Sequence, residues 1–276
     1  MMTTAANVIY ILTILLYSIS VLGYFIDFIQ NNRKVNRIAF WLLSIVWVLQ
    51  TLFFVIRAIA FDRVPVITPF EGLFLFAWLV VTLSLVLNFF FRIDFLILFT
   101  NIIGFIMLAF SLFVPSGDVP EELTNLLVSE LLIIHITFVL LSYAGFTLAF
   151  AFSSMYAIQN RMLKQKAWSS RLTRFGSLPR LEKLAFASTV LAYPFLLLGV
   201  ILGFVWAYIQ LPVLPWFDAK VLGSLLILIV YGIYMYERAV RNRRGYSLAL
   251  LNLAGFLLVL INYFLSDELT EFHFWY

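Results

Sequence analysis

Residues 70–114 read FEGLFLFAWLVVTLSLVLNFFFRIDFLILFTNIIGFIMLAFSLFV, with Glu71, Arg92 and Asp94 as the only charges. A helix needs about 20 apolar residues to cross a bilayer, so this run is long enough for two crossings. Charged side chains are costly in hydrocarbon, and Arg92-Ile93-Asp94 falls at the centre of the run. The stretch therefore reads as two spans, Phe70–Phe91 and Phe95–Val114, joined by a tight charged connection. Merging them would give seven spans in place of eight.

The same pattern continues in both directions. Apolar stretches of crossing length precede it at Ala6–Phe28 and Ile38–Phe61. Four more follow at Leu131–Ile158, Leu184–Leu211, Val221–Tyr236 and Leu248–Leu265. Composition agrees: 64% of the residues are apolar and 12% charged, against about 45–50% and about 25% in soluble domains. The expected fold is an all-α polytopic membrane protein, a bundle of about eight transmembrane helices in a single transmembrane domain covering 1–276. The first stretch is too long for a signal-peptide core and has no basic residue before it, so it reads as a retained span. With no cysteine in the chain, disulfides, thiolate metal sites and dithiol redox chemistry are excluded.

Basic residues set the expected orientation. Arg33, Lys34, Arg37 and Arg92 share one side with Arg161, Lys164, Lys166, Arg171, Arg174, Arg180 and Lys183. Arg238, Arg241, Arg243 and Arg244 join them, making fifteen of the eighteen. The positive-inside rule places these in the cytoplasm and both termini outside. The basic loop at about 159–183 is explained by that rule as a stop-transfer and anionic-lipid patch, so nucleic acid is not an expected partner.

Two histidines are present, His135 and His273. His135 lies about five residues into the fifth span from its outer end, roughly 7–8 Å deep at ~1.5 Å per residue. His273 lies in the outer tail, in Glu271-Phe272-His273-Phe274-Trp275-Tyr276. Between them falls one outer loop, at about 206–220, with Trp206-Ala207 at its entrance and Trp216-Phe217-Asp218-Ala219-Lys220 at its exit. Such a loop, flanked by two imidazoles, suits a flat hydrophobic macrocycle with axial iron ligation. Each part also has a plainer reading. The tryptophans fit an interfacial aromatic belt, His135 a polar helix–helix contact, and His273 no role at all.

Gly203-Phe204-Val205-Trp206-Ala207 followed by Trp216-Phe217-Asp218-Ala219-Lys220 resembles the tryptophan-rich "WWD" signature of the CcsA/ResC/CcmC family of cytochrome c assembly proteins. Ile133-Ile134-His135 with Ser142-Tyr143 is similar to the segment supplying that family's first outer histidine. Asn262-Tyr263-Phe264 through His273 resembles its closing segment, and Thr68-Pro69-Phe70-Glu71-Gly72 its stretch before the third span. Phe217 replaces the last tryptophan of the signature, and Ala219 and Val221 replace its proline and glutamate. The histidines found inside the membrane in the larger synthetases have no counterpart here.

The resemblance implies a haem-binding, non-enzymatic protein of the bacterial cell membrane, acting in cytochrome complex assembly or in control of haem biosynthesis through the level of glutamyl-tRNA reductase. His135 and His273 would be axial metal ligands to a b-type haem. Trp206, Trp216 and Phe217 would lie on or near the macrocycle. Asp218 would shape the loop, and Lys220 or Arg63 would meet a propionate. Implied partners are haem, the lipid bilayer, and a cytoplasmic haem-biosynthesis enzyme or a membrane cytochrome c assembly subunit. A transporter of a small hydrophobic or anionic compound is the alternative; it predicts charged or broken helices near mid-depth. Pro194 reads as a kink, and Arg57 either snorkels outward or pairs with Glu71.

Overall fold

A computed structural model of the chain describes residues 4–91, 93, 95–114, 129–166, 172, 174–210 and 216–264. Eight helices and no strand occur among them. They are α1 Thr4–Gln30, α2 Arg33–Phe61, α3 Pro69–Phe91, α4 Leu96–Phe110, α5 Glu130–Lys164, α6 Leu178–Gln210, α7 Ala219–Ala239 and α8 Tyr246–Phe264. Seven are long and apolar enough to cross a membrane; α4, with 15 residues, is apolar but shorter. The break inside 70–114 is real: α3 stops at Phe91 and α4 begins at Leu96. The flanking Arg92 and Asp94 lie outside the described residues. The connections are narrower than expected. Helix α5 carries its basic residues to Lys164 and α6 starts at Leu178, so both ends of the 159–183 loop belong to helices. Charged residues beyond the bilayer edge extend a helix as readily as end it.

The chain divides into two compact units, 1–129 with 168–176, and 130–167 with 177–276. The first unit is held by polar contacts. Along α1, Ala6, Tyr10, Thr13, Tyr17, Ser20, Tyr24 and Asp27 recur at alternating steps of four and three and are all buried. Val8, Ile11, Leu15, Ile19, Leu22 and Ile29 face outward. This is the inverse of a soluble amphipathic helix, because lipid tails give helices no hydrophobic reason to associate and hydrogen bonds take over. The Tyr17 hydroxyl donates to Asn101 Oδ1 at 2.7 Å, and Asn101 Nδ2 donates to Ser84 Oγ at 2.8 Å. Tyr10 Oη lies 2.7 Å from Ser111 Oγ.

Helices α2 and α3 are linked by a reciprocal pair. Trp47 Nε1 donates to Thr82 Oγ1 at 2.8 Å, and that hydroxyl donates to the Trp78 carbonyl. Trp78 Nε1 donates to Thr51 Oγ1 at 3.0 Å, and that hydroxyl donates to the Trp47 carbonyl.

Two buried ion clusters complete this unit. Thr68-Pro69-Phe70-Glu71 opens α3 as a capping box with proline at the first helical position: Glu71 N donates to Thr68 Oγ1, and Thr68 N donates to Glu71 Oε2. The same carboxylate takes Arg57 Nη2 at 2.9 Å and both Nη atoms of Arg63 at 2.9 and 3.1 Å. Arg57 therefore turns inward, 2% exposed, beneath the faces of Phe61 and Phe70 at 4.8 and 5.0 Å. The outward-snorkelling reading of Arg57 is corrected. Asp27, at the far end of the α1 stripe, accepts both Nη atoms of Arg174 at 2.9 and 2.7 Å. Phe175 packs beside it against Phe28 and Phe95.

The second unit is built on the α5–α6 pair. On α6 the residues Ala185, Thr189, Ala192, Leu196, Gly199, Gly203 and Trp206 again step by four and three. Across from them, a Cβ on Gly145 would come within 2.8 Å of Ala192 Cβ, and one on Gly199 within 2.7 Å of Val139 Cγ2. Small residues let the two backbones approach this closely. Helix α6 runs through Pro194 without ending. Helices α7 and α8 are joined to α5 by the stacked pair Phe146–Tyr231, centroids 3.9 Å apart, and by Phe150–Phe256 at 4.6 Å.

Candidate functional site

His135 sits on the second turn of α5, partly buried, and its ring lies against α6. A Cβ on Gly203 would come within 2.6 Å of Cε1 and 2.8 Å of Nδ1. Nδ1 lies 2.6 Å from the Gly199 carbonyl oxygen. A carbonyl only accepts, so Nδ1 carries the proton and, in the neutral ring, Nε2 carries the basic lone pair. This is the arrangement of metal-ligating histidines, which commonly donate their other N–H to a carbonyl or carboxylate. The bond also satisfies the plainer reading, a polar contact between spans; one side chain serves both. The donor chemistry thus fits one axial position of an iron macrocycle.

Trp206 follows Gly203 on the same face of α6 and is 2% exposed. It lies inside the helix, which continues to Gln210, and not at the mouth of a loop; the 206–220 boundary is corrected accordingly. Trp216 and Phe217 form the turn before α7. Trp216 leans on Phe204, centroids 5.2 Å apart, one residue round α6 from Gly203. Phe217 is 91% exposed. The structure sets the His135 ring of α5 against Gly199 and Gly203 of α6, and Trp216 against Phe204 beside them. His273 lies outside the described residues.

Asp218 is the N-cap of α7. Its Oδ1 accepts from Lys220 N at 2.9 Å and Val221 N at 3.3 Å, so it acts on the backbone of Lys220. Asp218→Ala is expected to lower the stability of α7 by about 1 kcal/mol, read as faster amide exchange over 219–224 with α5 and α6 unchanged. Arg63, the other candidate for a propionate, is engaged with Glu71 in the first unit.

Asn262 anchors the end of α8 from which the His273 segment departs. Its Nδ2 donates to Tyr143 Oη at 3.0 Å and Ser224 Oγ at 3.1 Å, and its side chain fills the space that a Cβ on Gly223 would occupy. Sequence reading passed over Gly199, Gly223 and Ser224. For Gly199 a signal existed: Gly199 and Gly203 form the small-xxx-small spacing of close-packed spans.

The profile of the family described as "Cytochrome C assembly protein" matches residues 66–273, a stretch that contains every element of this site. The chain belongs to that family. Over 261 residues it is 48% identical to Protein HemX of Bacillus subtilis (strain 168), covering 95% of each chain. It is 46% identical over 268 residues to Protein HemX of Brevibacillus brevis, covering 97% of this chain and 98% of the relative. The cytochrome c biogenesis protein CcsA of Chlamydomonas reinhardtii is a more distant relative, 26% identical over 204 residues, which are 71% of this chain and 56% of that one. Family membership and seven long apolar helices make the chain a multi-pass bacterial membrane protein.

Proposed function

We propose that this family member is a non-enzymatic haem-binding protein in which His135 Nε2 is one axial ligand of a b-type haem and His273 the other. The observation that carries the reading is the 2.6 Å bond from His135 Nδ1 to the Gly199 carbonyl, which leaves Nε2 as the basic nitrogen. When bound, the group would supply an iron that neutral imidazole nitrogens can hold. The chain would supply the imidazoles, the indole of Trp206 one turn along α6 from Gly203, and Trp216 and Phe217 as apolar cover. Asp218 fixes the start of α7, so the Lys220 ammonium is held near that end of the unit as a partner for a propionate.

In this reading both termini and the segment between α6 and α7 lie outside, and the basic connection between α5 and α6 faces the cytoplasm. There it would meet a haem-biosynthesis enzyme or a cytochrome c assembly subunit. Haem occupancy would report to that partner, either in cytochrome complex assembly or in setting the level of glutamyl-tRNA reductase. The resemblance and the HemX and CcsA relatives support this assignment.

The test is the optical spectrum of detergent-purified protein, reduced and oxidised, beside His135→Ala and His273→Ala. A sharp reduced α-band in the wild type, lost or shifted in both variants, is expected. A wild type that takes up no haem on reconstitution, or an α-band untouched in His135→Ala, overturns the reading.

A further inference from the structure

We propose that Gly203 is a positioning residue that sets the tautomer and direction of the His135 imidazole. The inference deepens the haem reading and rests on it for its consequence, although its first arm does not need haem. Position 203 faces the ring: a single added carbon would sit 2.6 Å from Cε1, 2.8 Å from Nδ1 and 3.4 Å from Nε2. Two of these are closer than real Cβ contacts come, and the obstacle is a rigid ring. Alanine at 203 therefore moves the imidazole away from α6, and the bond from Nδ1 to the Gly199 carbonyl is broken.

The notch is backed on both sides. Gly199, one turn earlier, supplies the accepting carbonyl and is itself pressed against Val139, one turn after His135 on α5. Gly145 and Ala192 hold the pair together two turns further along. The helices cannot part to accommodate a new methyl without loosening all three contacts, so the ring must yield. In water the neutral imidazole favours the proton on Nε2; here the carbonyl draws it to Nδ1. Gly203 thus holds the proton on Nδ1 by allowing the ring to reach the backbone behind it.

The experiment is a long-range nitrogen–proton correlation of histidine-labelled, haem-free protein at a pH where the ring is neutral. His273→Gln leaves one imidazole in the spectrum, since the chain has two. The expected wild-type pattern is the Nδ1-protonated tautomer, and Gly203→Ala is expected to shift it toward the Nε2-protonated form. Gly232→Ala, where a Cβ meets only an ordinary 3.5 Å contact with Tyr193 Oη, serves as the folding control and should leave the pattern unchanged.

With haem added, Gly203→Ala should convert six-coordinate low-spin iron to a weaker-field or five-coordinate species, at haem content closer to wild type than in His135→Ala. An Nε2-protonated ring in the wild type overturns the proposal whether or not the alanine variant folds. So does a Gly203→Ala protein with the wild-type tautomer and α-band. A wild type that never binds haem defeats the haem reading alone, because the tautomer arm is read without it.

Discussion

Glu71→Ala is expected to destabilise the first unit by about 3–5 kcal/mol, the range for breaking a buried ion pair by removing one partner. The carboxylate is 1% exposed, against 3% and 8% for the side chains of Arg57 and Arg63. It is the hub of five hydrogen bonds: from Arg57, twice from Arg63, and from the backbone N–H groups of Ile67 and Thr68. Its removal leaves two buried guanidinium groups without a counter-charge and takes away half of the α3 capping box. Coulomb repulsion between the two arginines then adds to the loss. Reversible unfolding in mixed micelles would measure the effect, and a change below about 1 kcal/mol would show that water reaches the cluster freely. Arg57→Met with Arg63→Met in the Glu71→Gln background should recover much of the loss, since apolar replacement of a buried ion set is often neutral or better.

Arg174→Ala should be nearly as costly, about 3–4 kcal/mol on the same physical grounds. Asp27 is fully buried at the end of the α1 stripe and receives a two-pronged guanidinium, the strongest geometry for such a pair. Arg174 also lies over the face of Phe95 at 4.6 Å, so its removal takes packing as well as charge. A double-mutant cycle with Asp27→Leu isolates the pair. The double variant is expected to be more stable than Arg174→Ala alone. Additive losses would mean that each residue acts through other neighbours.

The spans could be read from the sequence because the bilayer imposes a length on every apolar run, and Arg92 with Asp94 marks the one place where two runs touch. His135 stood out for a related reason: it is the only histidine within a span, where a polar side chain requires a partner. The partner itself was not legible. A backbone carbonyl carries no side-chain identity, and Gly199 offers only an absence that acquires meaning when α5 lies against it. The α1 stripe is hidden in the sequence because tyrosine, threonine and serine hardly lower the apolar count of a span, although their four-and-three spacing is visible once the buried face is known. Arg174 was counted with the cytoplasmic charges because its chemistry matched that set. That it is buried against Asp27, 147 residues away, depends on packing that no local pattern encodes. Trp206 and Trp216 illustrate the same limit: a shared motif put them in one loop, whereas helix length separates a buried indole from an exposed one.

The segment carrying Arg174 also has a consequence for the order of events during synthesis. Helices α1 to α4 are made first, yet the guanidinium that neutralises Asp27 follows 147 residues behind it, about 7–30 s at ~5–20 residues per second. Throughout that interval the carboxylate lacks the Arg174 guanidinium and keeps the Asn36 amide, which donates to Asp27 Oδ2 at 2.7 Å. The first four helices can make their own contacts earlier, but the ion pair at the end of α1 closes only after α5 has been made and the chain has returned. A nascent chain halted at 129 would hold its helices without that closing pair, so the last step in building the first unit belongs to residues made after the second unit has begun.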